Sequence, residues 1–416
     1  MSIGYACLAV GVKDAGFKSC TMKNADTERL TEITEHNLRT LENIIEFNAA
    51  NNIKLFRITS GLVPFGSSPV NNLPWHEMFE GRFLEIGKKI KDSGMRVSMH
   101  PGQYTVLNSP NDDVVKRAVE DLDYHCLVLD SLKAGQECKI VLHVGGVYDN
   151  RKSALERFVR NYMRLKENVK NRLVIENDDR MYSIEEVLET GIALNIPVVY
   201  DNLHNAANPC GSQSDDFWIS QCNKTWKAAD GKQKIHYSQQ DPSRKKGSHS
   251  EFIRVKEFMN FYGQVKGENL DIMLEVKDKN LSCVKCINCT SERNINILEK
   301  EWGRYKYAVL EKSPSLYQEI RHLLKDKEKY PVVEFYELIE GAMTEEMNKG
   351  HAINAAQHVW GYFKNTATQK EKDEFSKLVS DFMRSESDLL KIKRMLFKLS
   401  FKYGESYLLD SYYFLF

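Results

Sequence analysis

The chain has 416 residues, 42% of them hydrophobic and 28% charged, and its 58 Lys+Arg are matched by 58 Asp+Glu for a formal net charge of +0. Such a composition belongs to a soluble globular protein with a large core. It excludes nucleic-acid binding through bulk positive charge, though not through a local basic or metal-lined groove, and no apolar run approaches the roughly 20 residues of a membrane span.

The opening "MSIGYACLAVGVKDAG" lacks a basic leader and a cleavage site, so no signal peptide is expected. Together with nine cysteines, an odd number, this predicts reduced thiols and a cytoplasmic protein with no membrane contact. Short apolar runs then recur along the chain: "IGYACLA" (3–9), "KLFRITS" (54–60), "RVSMHP" (96–101), "KIVLHVG" (139–145), "RLVIEND" (172–178), "IPVVYDN" (196–202), "KIHYS" (234–238) and "LDIMLEVKD" (270–278). Between them lie stretches such as "LTEITEHNLRTLENIIEFNAAN" and "ALERFVRNYMRLKENV", with apolar residues three and four apart, as amphipathic helices require. Eight strands alternating with helices predict a (β/α)8 TIM barrel. An open doubly wound sheet is the alternative, but no GxGxxG follows the first strand. From residue 296 onward only helical patterns remain, which divides the chain into a barrel domain over 1–295 and a helical C-terminal domain over 296–416. The aromatic ending "YLLDSYYFLF" is expected to pack back on a core.

Barrel active sites lie at the C-terminal ends of the strands. Those ends carry His100, His143, Glu176, Asp201 with His204, Lys234 with His236, His249 in the following loop, and Glu275. A single His or Glu at a strand end is usually just a hydrogen-bonded terminus. The whole set at one rim is different, because imidazoles and carboxylates together suit Mn²⁺, Zn²⁺ or Fe²⁺. Crowded carboxylates would repel one another unless divalent ions neutralised them, and the donors are too many for one ion. Strand alternation puts Lys234 on the same face as His236. Its amine then either reaches away to a phosphate or is carboxylated to a carbamate. "HPGQY" follows the third strand, so a rigid turn at Pro101-Gly102 presents Gln103 and Tyr104.

Taken in order, "GY" at Tyr5, "MHPGQY", "LHVGG", "VIEND", "YDNLHN", "KIHYSQQ" and "LEVKDK" closely resemble the UV damage endonuclease family of bacteria and fungi, whose barrel is related to that of endonuclease IV. The resemblance spans roughly residues 1–295. It implies a metal-dependent endodeoxyribonuclease that nicks duplex DNA 5′ of UV photoproducts, with three divalent ions per chain, usually Mn²⁺. Carried over by position, His100, His143 and Glu176 would hold one ion. Glu176, Asp201, His236 and Glu275 would hold another, and His204, His249 and a carboxylated Lys234 a third. Glu176, Lys234, His236 and Glu275 would thus be catalytic. Gln103 and Tyr104 would wedge into the duplex at the lesion, and Tyr5 would line the lesion pocket. Base–aromatic stacking is worth about 1–3 kcal/mol, comparable to the few kcal/mol of unstacking, so such a wedge offsets much of the cost of extruding damaged bases. Arg244, Lys245 and Lys246 in the loop "DPSRKKGSH" are candidates for phosphate contact.

"CVKCINC" spaces Cys283, Cys286 and Cys289 for Zn²⁺ or an iron–sulfur cluster if a fourth ligand lies near, although unligated thiols are the simpler expectation. The C-terminal helices faintly resemble a bacterial helical domain of unknown function. Competing functions are an abasic-site endonuclease of the endonuclease IV type, a metal-dependent sugar isomerase, and a non-catalytic sensor of DNA damage.

Overall fold

Eight short parallel strands follow one another round a closed barrel in chain order: β1 (Ile3–Ala6), β2 (Leu55–Ile58), β3 (Arg96–Met99), β4 (Ile140–His143), β5 (Leu173–Glu176), β6 (Val198–Asp201), β7 (Gln233–Tyr237) and β8 (Leu270–Leu274). The ring shuts where Ile3, Gly4 and Tyr5 pair with Ile272, Met273 and Leu274. The computed structural model describes residues 1–148 and 150–416. Every strand but β7, which shifts by one residue at equal length, is shorter than the apolar run that encodes it, because pairing stops where the chain must turn outward; His100 and Glu275 lie one residue past their strands. Parallel strands buried on both faces need apolar side chains throughout, which is why these runs show little alternation.

Helices follow the strands and begin where the sequence offers caps. Asp26 accepts from the Arg29 amide at 2.8 Å to start Thr27–Ala50. Asn111 accepts from the Asp113 amide at 2.9 Å to start Asp112–Ser131. Ser183 and Glu186 form a capping box at Ile184–Leu194. Among the described residues, no helix is long and apolar enough to cross a membrane.

Inside the barrel, alternation sorts side chains into rows. Val141, Val174 and Val199 pack together from β4, β5 and β6, and Ala6, Leu55 and Met273 from β1, β2 and β8. A step of two residues toward the C-terminal mouth carries these apolar rows to His143, Glu176, Asp201, Arg57 and Glu275. Toward the opposite end, Arg96 of β3 pairs with Asp271 of β8 at 3.3 Å. These rows, with the buried Lys234 of β7 among them, lie between the mouth and the charged floor.

The chain divides into two compact units, one of Met1–Ile253 with Asn260–Ile287 and one of Arg254–Met259 with Asn288–Phe416. The second is helical. Its core gathers Ala352, Ala356 and Val359 of helix Lys349–Trp360 with Ile392 and Leu396 of helix Leu389–Lys402, and Tyr413 near the chain end is fully buried among them. Of the aromatic ending, Leu408, Tyr412 and Tyr413 thus pack inward, as its composition predicts, while Tyr407, Leu415 and Phe416 stay exposed.

Candidate active site

Three groups of donor atoms, each within 4.8 Å of one another, share the barrel mouth: His100 with His143 and Glu176; Glu176 with Asp201 and His204; and Asp201 with His236 and Glu275. Glu176 is the hub. Its Oε2 lies 3.1 Å from His100 Nε2 and 3.6 Å from His143 Nε2, and its Oε1 lies 2.7 Å from His236 Nδ1 and 3.7 Å from His204 Nδ1. His236 Nδ1 is also 3.3 Å from Glu275.

Hydrogen bonds beyond the strand ladders fix these groups. Asn177 donates to the Asp201 carbonyl at 3.0 Å and accepts from the Asp201 amide at 2.9 Å, stitching β5 to β6. Asn202 repeats the device on Ser238, at 3.0 and 2.8 Å, and stitches β6 to β7. The His204 Nδ1 sits 2.9 Å from the Asn177 carbonyl, which orients its ring. Ser60 donates to the His100 carbonyl at 2.7 Å, and the buried His125 holds Ser60 at 2.9 Å. The asparagines of "VIEND" and "YDNLHN" are thus structural clamps beside the donors.

The electrostatics are those of a cation site. Burial favours a neutral Glu176 carboxyl, but His236, His143 and a hydrogen bond to His100 hold it well below the usual carboxylate range. Burial pushes Asp201 up. Burial also drives His100 down to about 4, so it stays neutral at physiological pH. His204 moves the other way: burial opposes its charge, but Asp201, Glu176 and Glu275 outweigh that and raise it to about 9. Two buried donor atoms, Asp201 Oδ2 and His236 Nε2, have no hydrogen-bond partner among the described residues. Buried polar atoms are nearly always satisfied, so two orphans among clustered ligand-type residues fit divalent cations.

Sequence reasoning missed Arg57, which lies among these donors on β2. Its guanidinium pairs with Glu275, and the two side chains are only 13% and 11% exposed. Burial opposes charge on Glu275, yet Arg57 and His236 hold it far below the usual range. The missing signal was the row itself: Arg57 stands two residues after Leu55, as Glu275 stands two after Met273.

The loop after β3 projects as expected. Tyr104 is 76% exposed and Gln103 is also exposed, while Thr105 beside them is buried and donates to Asp121 at 2.6 Å. A Cβ on Gly102 would sit 2.7 Å from the Tyr104 ring, so a side chain there would turn the exposed ring away from its present position. Gln103 borders a groove of about 570 Å³ whose lining includes His100, His143, His204, Arg180 and Lys245. Arg180 and Asp179, on the loop after β5, were not anticipated.

Several expectations need correction. Tyr5 is fully buried and faces away from the barrel interior, with its hydroxyl donating to Asn48 at 2.8 Å and its ring edge-on to Phe56. Its neighbours Gly4 and Ala6 take the inward face, so alternation forces Tyr5 under the helix Thr27–Ala50. His204, His249 and Lys234 do not form a group by themselves. His204 joins Glu176 and Asp201, while His249 Nε2 lies 3.8 Å from Glu275. Lys234 lies one row below His236, is 1% exposed, and its ammonium makes no hydrogen bond or ion pair among the described residues. Burial, with Arg96 and Arg57 nearby, lowers it to about 7. Of the loop cations, Lys245 lines the groove, Arg244 pairs with Asp241 at 3.3 Å, and Lys246 is exposed outside the groove lining. Cys283, Cys286 and Cys289 fall on the helix Asn280–Thr290, and no cysteine joins a group of three metal donors among the described residues. A helix spaces such residues about 4.5 Å apart along its axis, so three thiols cannot close on one ion without a loop.

A closed (β/α)8 barrel with three histidine–carboxylate groups at its C-terminal mouth is the architecture of an enzyme able to gather divalent cations around a substrate. The chain belongs to the UV-endonuclease UvdE family, whose pattern matches residues 1–305. Residues 306–416 match a family described only as a protein of unknown function, DUF1722. Among similar proteins, the UV DNA damage endonuclease of Clostridium perfringens is 39% identical over 386 residues, which is 92% of each chain. That of Bacillus cereus is 31% identical over 317 residues, covering 73% of this chain and 99% of its own. The crystal structure of SacUVDE superposes with a TM-score of 0.66 at 36% identity, covering 70% of this chain and 97% of its own.

Proposed function

We propose that the protein nicks duplex DNA on the 5′ side of UV photoproducts, using divalent cations held at the barrel mouth. The observation that carries this reading is the pairing of three donor groups, two of them sharing Glu176, with an exposed aromatic, Tyr104, on the same rim. In this reading one cation is held by His100, His143 and Glu176, another by Glu176, Asp201 and His204, and a third by Asp201, His236 and Glu275, with His249 beside Glu275. Mn²⁺ suits mixed imidazole and carboxylate donors. Cations held there supply Lewis acidity for phosphodiester hydrolysis.

The chain's own residues do the rest. Glu176 ties the groups together. The Asn177 and Asn202 clamps keep the donors from spreading. Tyr104 replaces the stacking lost when a damaged pair leaves the helix, and Gln103 offers its amide to the orphaned base edge. A lesion has already weakened stacking, so selectivity follows without reading sequence. Lys245 and Arg180 on the groove wall contact phosphate. Lys234 is carboxylated in this reading: an unpaired buried amine near pKa 7 is neutral often enough to add carbon dioxide. NMR of protein prepared in ¹³C-bicarbonate tests that point by its carbamate signal.

The decisive experiment incubates UV-irradiated, abasic and untreated supercoiled plasmid with the protein and Mn²⁺. Relaxation of the irradiated plasmid alone is the expected result. Equal treatment of irradiated and untreated plasmid, or cutting of abasic plasmid only, overturns the lesion-specific reading.

A further inference from the structure

The helical unit carries a surface that the barrel chemistry does not use. Helix Leu389–Lys402, "LLKIKRMLFKLSFK", has five basic residues and no acidic one. Lys393 turns inward and pairs with Glu311 at 2.8 Å, and Lys402 is engaged by Glu371 at 2.6 Å. Lys391, Arg394 and Lys398 remain exposed, with no ion pair and no side-chain hydrogen bond among the described residues. Their spacing of three and four puts them on one face. Like charges so placed repel one another, and no acid on the helix relieves them.

On the same helix Phe397 is 45% exposed, with its ring edge-on to Phe414 at 5.3 Å, and Phe401 is 68% exposed. The cations also edge a groove of about 490 Å³ against helix Gln369–Met383. Its lining includes two acids, Glu371 and Glu374. Glu371 is already consumed by Lys402, Tyr403 at 2.8 Å and the Thr368 cap. The face is therefore positive overall, its three unpaired cations outnumbering the remaining acid of the lining, Glu374.

We propose that the face of Lys391, Arg394 and Lys398, with Phe397 and Phe401, is a second DNA-contacting surface that grips the phosphate backbone. The partner's chemistry follows from the dimensions. At 1.5 Å rise per residue, Lys391 to Lys398 spans about 10 Å, and a DNA strand sets one phosphate per about 3.4 Å of axis, so three cations meet about three phosphates. The phenyl rings lie against the sugars between those phosphates. Such a contact is insensitive to sequence and to damage. It keeps the enzyme on undamaged DNA while lesions are sought, and tethering two DNA-binding surfaces in one chain raises apparent affinity with no new contact at the barrel mouth. The inference rests on the DNA-nicking reading above.

The test uses the full-length protein with Lys391, Arg394 and Lys398 all changed to Gln, and a control with the exposed Lys325, Lys327 and Lys329 changed to Gln. Lys327 and Lys329 already pair with Glu299 and Asp326 at the surface. Binding to an undamaged duplex is measured by anisotropy from 50 to 200 mM salt. Losing three phosphate contacts lowers the slope of log K against log salt by about 2.7, which is about 40-fold over that range. The control keeps the wild-type slope, and the triple variant still nicks a UV-damaged duplex at the wild-type rate when DNA is saturating. Equal slopes in wild type and triple variant, or an equal change in the control, overturn the proposal. So does loss of binding to anionic phosphatidylglycerol vesicles with the DNA slope unchanged, which assigns the face to a lipid surface. If the wild type binds duplex with the steep slope but never nicks UV-damaged DNA, the nicking reading fails while the surface stands.

Discussion

Arg57→Gln is the sharpest probe of how the mouth is built. The substitution removes the guanidinium that stands in the donor row on β2 beside Glu275, where both side chains are almost enclosed at 13% and 11% exposure. Removing one partner of a buried ion pair costs about 3–5 kcal/mol, because the remaining charge is left without compensation. Here Glu275 also faces Glu176 and Asp201, so the residual charge has like neighbours as well. At about 2 °C per kcal/mol for a unit of this size, the barrel transition of the metal-free protein should fall by roughly 6–10 °C. Divalent cations reverse the sign of the environment around Glu275. Saturating Mn²⁺ should therefore restore most of the lost stability, and the variant should show a larger metal-induced rise in melting temperature than the wild type. The assay is paired thermal denaturation followed by circular dichroism, once in chelator and once in Mn²⁺. An Arg57→Gln protein that melts with the wild type in chelator refutes the counter-ion argument. A loss that is the same with and without Mn²⁺ refutes the claim that cations and Arg57 compensate the same carboxylate.

Other expectations follow from the same geometry. Glu176→Gln, which strips the shared charge from two donor groups, should cut nicking by more than the roughly 100-fold typical of an outer-shell change while lesion binding persists; a gel assay with a matched anisotropy titration reads both, and retained nicking counts against Glu176 as hub. Tyr104→Ala should weaken binding to UV-damaged duplex by the about 1–3 kcal/mol of one stacking contact and leave undamaged duplex unaffected, so a uniform loss on both would discard the wedge. His204 sits raised to about 9 in the metal-free site, so it is protonated at pH 7 and must lose that proton to bind a cation. Cation affinity should then climb as pH rises toward 9, with proton release visible by calorimetry in buffers of different ionisation heat; affinity flat between pH 7 and 9 would contradict this. Asn177→Ala leaves the Asp201 amide and carbonyl without their clamp and should cost about 1–3 kcal/mol in the barrel transition, measured by urea denaturation.

Much of this site was legible before the fold was known. Apolar runs mark strands, and a polar residue closing such a run can only sit at the strand's end, so His100, His143, Glu176, Asp201, His236 and Glu275 announce themselves. Arg57 was not legible, because an arginine within "KLFRITS" reads equally well as a solvated edge residue. Tyr5 misled for a related reason. "GYA" gives the aromatic but not which face it takes, and pairing with β2 and β8 hands the inward face to Gly4 and Ala6. The asparagine clamps were hidden because a single Asn has no periodic signature; its meaning lies in the neighbouring strand whose backbone it reaches.

By itself, then, the order of residues determined the alternation of strand and helix, the barrel it closes into, and the side chains available at the strand ends, since these depend on periodicity and on burial of apolar surface over short stretches. Tertiary structure alone decided which donors share a cluster, that the Lys234 ammonium stays outside them, and that an arginine balances their charge. Those outcomes depend on the stagger between strands and on distances of a few ångströms across the barrel, which no local pattern encodes.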